Sequence, residues 1–391
     1  MDQTQSPITP GVAGHLRDIA GRAAMQEDVF AKVGASATVS LNFMYCFAGA
    51  GVDLDGRDSL APTISYFLGG DAGGADPYER DSLSATVGWS AGAALSGDPS
   101  PLDQEVAAIS PRYAVIMYGT NDIQLGNIDT YGDHLLEIAD QLSDAGVIPL
   151  FTTIMPRDDS ATADAEVPRY NLIVRGVAQS RQVPLIDFHR ELAPLPDHGL
   201  GSDGIHPSVY RNPGALPCAF TADGLKYGYN IRNLITITSL DRARAVVAGG
   251  DAPDPPAATL AGAGSHQDPF VIPSLPFVDA HDTRTSLVSD VDSYPGCNAS
   301  QDESGHEFVY RLDLTTATRV RAFLSDRGGA DIDVHLLSGG STGDDCLMRD
   351  NLDLVADLQP GTYYFNLDSF ASGGSPLEGE YIFVVMEEPA P

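Results

Sequence analysis

Two periodicities divide this chain. Up to about residue 247, short apolar runs alternate with stretches of helical spacing, the pattern of a parallel sheet covered by helices. An amphipathic helix is expected from about Val12 to Val29, running into a buried strand that ends at Val33. Further strands are expected near Ser84–Val87, at Ala114–Tyr118 (AVIMY), at Val147–Ile154 (VIPLFTTI) and at Val183–Phe188 (VPLIDF). Helices are expected at Tyr131–Ala145, Pro168–Arg181 and Asp223–Val247. Beyond Asp268 the spacing changes to strict alternation, in Phe308–Leu314, Arg319–Leu324, Asp331–Leu337, Thr362–Asp368 and Tyr381–Met386. Gly- and Asp-rich turns separate these runs, as in an antiparallel sandwich.

The run Ala248–Ser265 (AGGDAPDPPAATLAGAGS) lacks periodicity and reads as a linker. It implies an α/β domain over 1–248, a Pro/Gly/Ala linker over 249–267 and an all-β domain over 268–391. A length of 391 residues is enough for two cores. With 43% hydrophobic residues, 40 Gly and 27 Pro, the composition is that of a loop-rich globular protein.

Charge narrows the partners. A formal net charge of −32 repels nucleic acid phosphates and anionic membrane surfaces, so neither is an expected partner. About half of that charge falls after Asp268, and only Lys32 and Lys226 are lysines. Such a surface suits a protein exposed to salt or divalent cations. No run is long and apolar enough to span a bilayer, and the opening MDQTQSPITP lacks the basic-then-apolar pattern of an export signal. The four cysteines show no zinc-type spacing, so disulfides are expected, most simply Cys46 with Cys218 and Cys297 with Cys346. That pairing implies an oxidising compartment.

Three polar blocks stand at expected strand ends, where open parallel sheets bind ligands. Gly34-Ala35-Ser36 follows the first strand and offers a hydroxyl and a backbone N–H on one turn. Gly119-Thr120-Asn121-Asp122 follows the third, with a side-chain amide that can donate a hydrogen bond. Asp203-Gly204-Ile205-His206-Pro207 comes late, with a carboxylate spaced to hold one imidazole nitrogen while the other faces a nucleophile. Each block has an ordinary structural reading as a cap or turn. His189 and His198 are rival bases. Phe47, Trp89 and Tyr118 stand near the strand ends and suit either a pocket or the core. The acidic turn Asp53–Asp58 has oxygen groups around Gly56 but lacks the later Glu of a full calcium loop.

In order and placement these blocks resemble the SGNH (GDSL-like) hydrolase superfamily, over nearly all of Val12–Val247. The Gly-x-Asn-Asp and Asp-x-x-His-Pro blocks match without change, and the family's lone Gly falls on Gly88. The resemblance implies a three-layer αβα, flavodoxin-like domain that cleaves carboxylic esters through an acyl-enzyme. Ser36 would be the nucleophile, His206 the base and Asp203 its orienting acid, with an oxyanion hole from Ser36, Gly88 and Asn121. Short-chain acyl or O-acetyl esters of carbohydrate or lipid are the implied substrates, and no cofactor is required. One block departs: Ala35 stands where the family carries Asp, a residue that braces the nucleophile loop. A weakened protein that binds surface polysaccharide, or an acyltransferase using the same residues, are the alternative readings.

The second half is similar to the bacterial pre-peptidase C-terminal (PPC) β-sandwich, from Phe308 through Asp331-Ile-Asp-Val-His to Pro360-Gly-Thr-Tyr-Tyr. That implies an accessory module of an enzyme that is secreted, periplasmic or at the cell surface. It also allows for structural calcium.

Overall fold

The structure, a computed structural model, describes residues 3–256 and 258–388. The chain divides into two units, Met1–Ala257 and Ala258–Pro391.

The first unit is built on strands β1 (Gln26–Gly34), β2 (Pro111–Met117), β3 (Ile148–Thr152) and β4 (Leu185–Ile186), all parallel and hydrogen-bonded in that order. Every residue of β2 is buried, as a central strand with both faces covered requires. The covering helices are α1 (Pro10–Arg22), α2 (Ser36–Val39), α3 (Ala61–Leu68), α4 (Pro101–Ile109), α5 (Thr120–Leu125), α6 (Ile128–Asp144), α7 (Ala161–Ser180), α8 (Phe188–Leu192) and α9 (Gly228–Val247). Helices α1, α3 and α8 pack on α9, while α5 and α6 pack on α7, so the covering helices fall into two groups. Each strand thus delivers its carboxyl end to a loop that opens a helix.

Several boundaries differ from expectation. Helix α1 stops at Arg22, and β1 begins at Gln26 because its first residues are exposed and so mimic the polar face of a helix. The segment Ser84–Val87 forms no strand but a single parallel bridge, Ala85 to Gly34, since Leu83 and Val87 face solvent and bury little apolar surface. Helix α7 starts seven residues before Pro168, with the Ser160 side chain accepting from the N–H of Ala163. Pro168 is tolerated within the helix on an exposed face. Helix α9 begins at Gly228, after a short 3₁₀ turn at Gly224–Lys226.

The second unit is a sandwich of two sheets. Besides a two-residue hairpin at Ala371–Ser372 and Ser375–Pro376, the strands of these two sheets are β5 (Phe270–Val271), β6 (Phe277–Asp282), β7 (Glu307–Leu314), β8 (Thr318–Asp326), β9 (Ile332–Ser338), β10 (Cys346–Asp350), β11 (Asp353–Leu358), β12 (Gly361–Ser369) and β13 (Glu380–Glu387). One sheet runs β10-β9-β12-β7-β5 and the other β11-β8-β13-β6. Inward residues such as Tyr310, Val334, Phe365 and Phe383 fill the space between them. The expected five strands are all present. The four that the alternation did not reveal, β5, β6, β10 and β11, are the sheet edges, where one neighbour and partial exposure weaken the period-two pattern.

The expected linker is claimed from both ends. Asp254 pairs with Arg242 and accepts from the N–H of Ile8 at 2.7 Å, whereas Leu260 packs against the second core. The carbonyl of Ala261 accepts from the N–H of Val271 at 2.8 Å, so the second unit starts earlier than position 268.

Each unit holds one disulfide, Cys46–Cys218 and Cys297–Cys346. The second closes a loop of 49 residues, worth about 4 kcal/mol in the loop-entropy model. Replacing both Cys297 and Cys346 by Ser is expected to lower the urea midpoint of the second unit's transition by a corresponding amount and to leave the first unit's transition in place. Far-UV circular dichroism during urea unfolding separates the two.

Candidate active site

Strand β1 carries the chain to Gly34, where a side chain has no room: a Cβ would stand 2.7 Å from the carbonyl oxygen of Met117 on β2. The chain then turns through Ala35, the N-cap of α2, and Ser36 opens that helix. At this position the N–H of Ser36 has no acceptor inside its own helix, so it is a free donor beside its own hydroxyl.

The second block folds around its own carboxylate. Asp203 Oδ1 accepts from the N–H groups of Ile205 and His206, each at 3.1 Å, which fixes a tight turn. Gly204, with φ of +68°, is required there, since a Cβ would stand 2.7 Å from the N of Asp159. The turn leaves Asp203 Oδ2 2.8 Å from His206 Nδ1, and His206 Nε2 lies 2.8 Å from Ser36 Oγ. Three groups spread over 170 residues of sequence therefore form one continuous hydrogen-bonded line. Burial raises the Asp203 carboxyl somewhat, but the hydrogen bonds from His206 and Ile205 outweigh it and hold the group below its ordinary value. It stays ionised at neutral pH, ready to stabilise an imidazolium.

Asn121 opens α5 with Thr120, at the end of β2. Its amide donates to the carbonyl of Trp89 at 2.9 Å and so fastens the turn that contains Gly88. The bridge from Ala85 to Gly34 runs parallel, which brings Gly88 to the same end of the sheet as Ser36. Asp122, fully buried, does more of this work than the sequence suggested: it accepts from the N–H groups of Ala91 and Gly119, both at 3.1 Å. It thereby couples the Gly88 turn to the Asn121 turn.

The rival histidines lie elsewhere. His198 Nδ1 bonds Asp158 at 2.7 Å, and His189 is largely buried behind Thr153, with burial pushing its pKa down. Phe47 is a core residue against Tyr78 and Phe220, and Tyr118 is buried with its hydroxyl on the carbonyl of Ser84. Trp89 is half-buried and takes part through its carbonyl. The Asp53–Asp58 turn is closed by Arg57, which donates to the carbonyls of Leu54, Asp55 and Phe220.

One residue that sequence reading passed over holds the helix that Ser36 opens. Arg232 of α9 is fully buried, and its guanidinium donates to the carbonyl of Ala37 at 2.7 Å and to Thr38 Oγ1 at 2.9 Å. It rests on the ring of Phe43, 3.7 Å from the centroid. Burial without a facing carboxylate pulls its pKa down to about 9. With Ala35 unable to brace the turn, Arg232 holds α2 from below. Arg232→Met is expected to lower kcat for an activated ester about 10- to 100-fold with little change in KM, as slight misplacement of a nucleophile does. Steady-state kinetics with a circular dichroism control checks this.

In front of Ser36 lies a cleft of about 570 Å³, whose lining includes Asn42, Val209, Arg211 and Tyr229 as well as Ser36 and His206. A hydroxyl bonded to an imidazole, with a free N–H beside it and a solvent-open cleft before it, is suited to attack on a carbonyl carbon.

A parallel sheet with a carboxylate, an imidazole and a hydroxyl hydrogen-bonded in line at its carboxyl end suits a carboxylic ester hydrolase. Residues 54–210 of the chain match the model of the GDSL-like Lipase/Acylhydrolase family. The matched span takes in Gly88, Asn121, Asp203 and His206 and begins after Ser36, whose hydroxyl lies 2.8 Å from His206 Nε2. Among solved structures, a GDSL-like lipase from Bacteroides thetaiotaomicron is 15% identical, with 59% of this chain and 99% of that one covered and a TM-score of 0.32. An acetylxylan esterase from Geobacillus stearothermophilus, solved as a catalytic mutant, is 13% identical over 56% of this chain and 95% of that one, with a TM-score of 0.36. The pre-peptidase C-terminal domain of a Bacillus anthracis collagenase is 14% identical over 28% of this chain and 89% of that one, with a TM-score of 0.20. No curated protein matches the chain.

Proposed function

We propose that the first unit hydrolyses short-chain acyl esters of polar alcohols, with Ser36 as nucleophile, His206 as general base and then acid, and Asp203 as the group that orients the imidazole. The observation that carries this is the unbroken line from Asp203 through His206 to Ser36, with 2.8 Å at each step. Ser36 Oγ attacks the ester carbonyl carbon while its proton passes to His206 Nε2. The oxyanion is met by the N–H groups of Ser36 and Gly88 and by the amide hydrogen of Asn121 that Trp89 leaves unused. His206 then protonates the leaving alcohol, and water, deprotonated by the same nitrogen, releases the acid.

Hydroxyl and amide groups of Ser40, Asn42, Ser202 and Ser208 line much of the cleft, which favours a hydroxyl-rich alcohol such as a sugar over a long apolar chain. The intact line of hydrogen bonds speaks against a decayed binding protein, despite Ala35. Two disulfides favour an extracytoplasmic setting, and among the described residues no helix is long and apolar enough to cross a membrane.

A chain-length series of p-nitrophenyl esters run beside acetylated xylan tests the substrate class. Acetate and butyrate esters should be turned over best, and a preference for esters of ten or more carbons would overturn it. A serine-directed fluorophosphonate should label Ser36, and an unlabelled, inactive chain would overturn the hydrolase reading itself.

A further inference from the structure

Four carboxylates lie buried together in the second unit with too little positive charge around them. Glu303, Glu307, Asp333 and Asp368 are all fully buried. Three of them are answered by donors. Glu307 meets His266 and the N–H of Asp290, each at 2.8 Å; Asp333 pairs with Arg349 of β10; and Asp368 accepts from the Tyr294 hydroxyl at 2.7 Å. Glu303 is the exception, since neither of its side-chain oxygens meets a donor.

Beside Glu303 stands a second under-satisfied group. His335 is fully buried and neither ring nitrogen has a side-chain hydrogen-bond partner, although the backbone of Asn366 bears on the ring. Its Nε2 lies 3.9 Å from Glu303 Oε1. Asp333 and His335 are two apart on β9 and so project from the same face of the sheet. Glu303, Asp333 and His335 each present one ligand atom, and those atoms all lie within 4.8 Å of one another. On β12 their direct cross-strand neighbours are Asp368 and Asn366, each with one buried side-chain oxygen lacking a donor. Tyr294 stacks on the His335 ring at 3.5 Å between centroids and fixes its plane.

Two carboxylates and an imidazole lone pair converge on one buried point, and Arg349 answers only one of the carboxylates, which calls for a cation. The imidazole selects its kind. Calcium and magnesium take oxygen ligands, whereas zinc and its first-row neighbours take histidine nitrogen together with carboxylate. We propose that Glu303, Asp333 and His335 bind one divalent transition-metal ion of the zinc type. Glu303 belongs to the segment that precedes β7, and Cys297 in the same segment is tied to β10. The ion would fasten to β9 the segment that the disulfide fastens to β10, a structural clasp remote from ester chemistry.

The test uses the full chain without an affinity tag, produced with zinc in the medium and dialysed against metal-free buffer. Elemental analysis by mass spectrometry is expected to find one zinc per chain, and Glu303→Gln and His335→Gln are each expected to cut that content at least tenfold. Hydrolysis of p-nitrophenyl acetate by the first unit should be unchanged in both variants. If the variants fail to fold, the wild-type chain refolded with cobalt(II) should show the visible ligand-field bands of a low-symmetry nitrogen and oxygen site. No bound metal in the wild type, equal zinc in wild type and variants, calcium in place of zinc, or cobalt bands of the hydrated ion would overturn the proposal.

Discussion

Ser36→Ala is expected to slow p-nitrophenyl acetate hydrolysis by about 10⁴- to 10⁶-fold, with the fold unchanged. The hydroxyl lost is the atom 2.8 Å from His206 Nε2, and no other side chain takes its place in that hydrogen bond. Deleting it leaves the carbonyl-polarising donors but no group to form the acyl-enzyme, so water must attack unaided. His206→Ala should cost about as much, and the double variant scarcely more, because nucleophile and base act as one unit. Additive losses in the double variant, read from initial rates, would mean that the two residues do not share a step.

Asp203→Asn is expected to cost about 10⁴-fold, more than Asp203→Ala. An ionised carboxylate accepts from His206 Nδ1 and so keeps the proton off Nε2, the nitrogen that would receive the Ser36 proton in the proposed reaction. An asparagine amide at the same place can donate to Nδ1 and so favours the opposite tautomer, with Nε2 already protonated. Alanine merely removes the constraint and lets water stand in, all the more readily because the Asp203 side chain is 53% exposed. Rates for the two variants across neutral pH distinguish these cases, and equal losses would show that only orientation matters.

Much of the site was legible because its parts are short, local blocks at strand ends. Gly-x-Asn-Asp and Asp-x-x-His are each read within a few residues, and the turn around Asp203 is closed by its own backbone. Ser36 was legible by position after a buried strand rather than by its neighbours. Arg232 and Asp122 were not. Arg232 acts on Ala37 and Thr38 from a helix almost two hundred residues away, and its partners are a carbonyl and a hydroxyl, which leave no charge pattern in the sequence. Asp122 was read as part of a turn, and only the structure reveals that its carboxylate accepts from the N–H of Ala91 across the sheet end. The buried cluster of Glu303, Asp333 and His335 in the second unit was hidden in the same way. Asp333 and His335 read as an ordinary alternating strand, and Glu303 arrives from a segment with no periodicity.

The fold followed the same rule. Central strands with two buried faces stood out, whereas edge strands and the polar start of β1 did not, because burial writes the hydrophobic pattern and edges have less of it.

The disulfide of the first unit bears on where such a cleft can work. One wall of the cleft is the segment that runs from Ser36 to Asn42, and the other runs from Gly201 to Arg211. Cys46 and Cys218 lie a few residues beyond these two walls and join them covalently, and Asn233 ties the same two stretches through the N–H of Met44 and the carbonyl of Pro217. The two walls of the cleft are thus riveted by a bond that thiols can open. In a reducing cell that bond would be open and Asn233 would hold the two walls without it, so the redox state of the surroundings bears on how firmly the cleft is held.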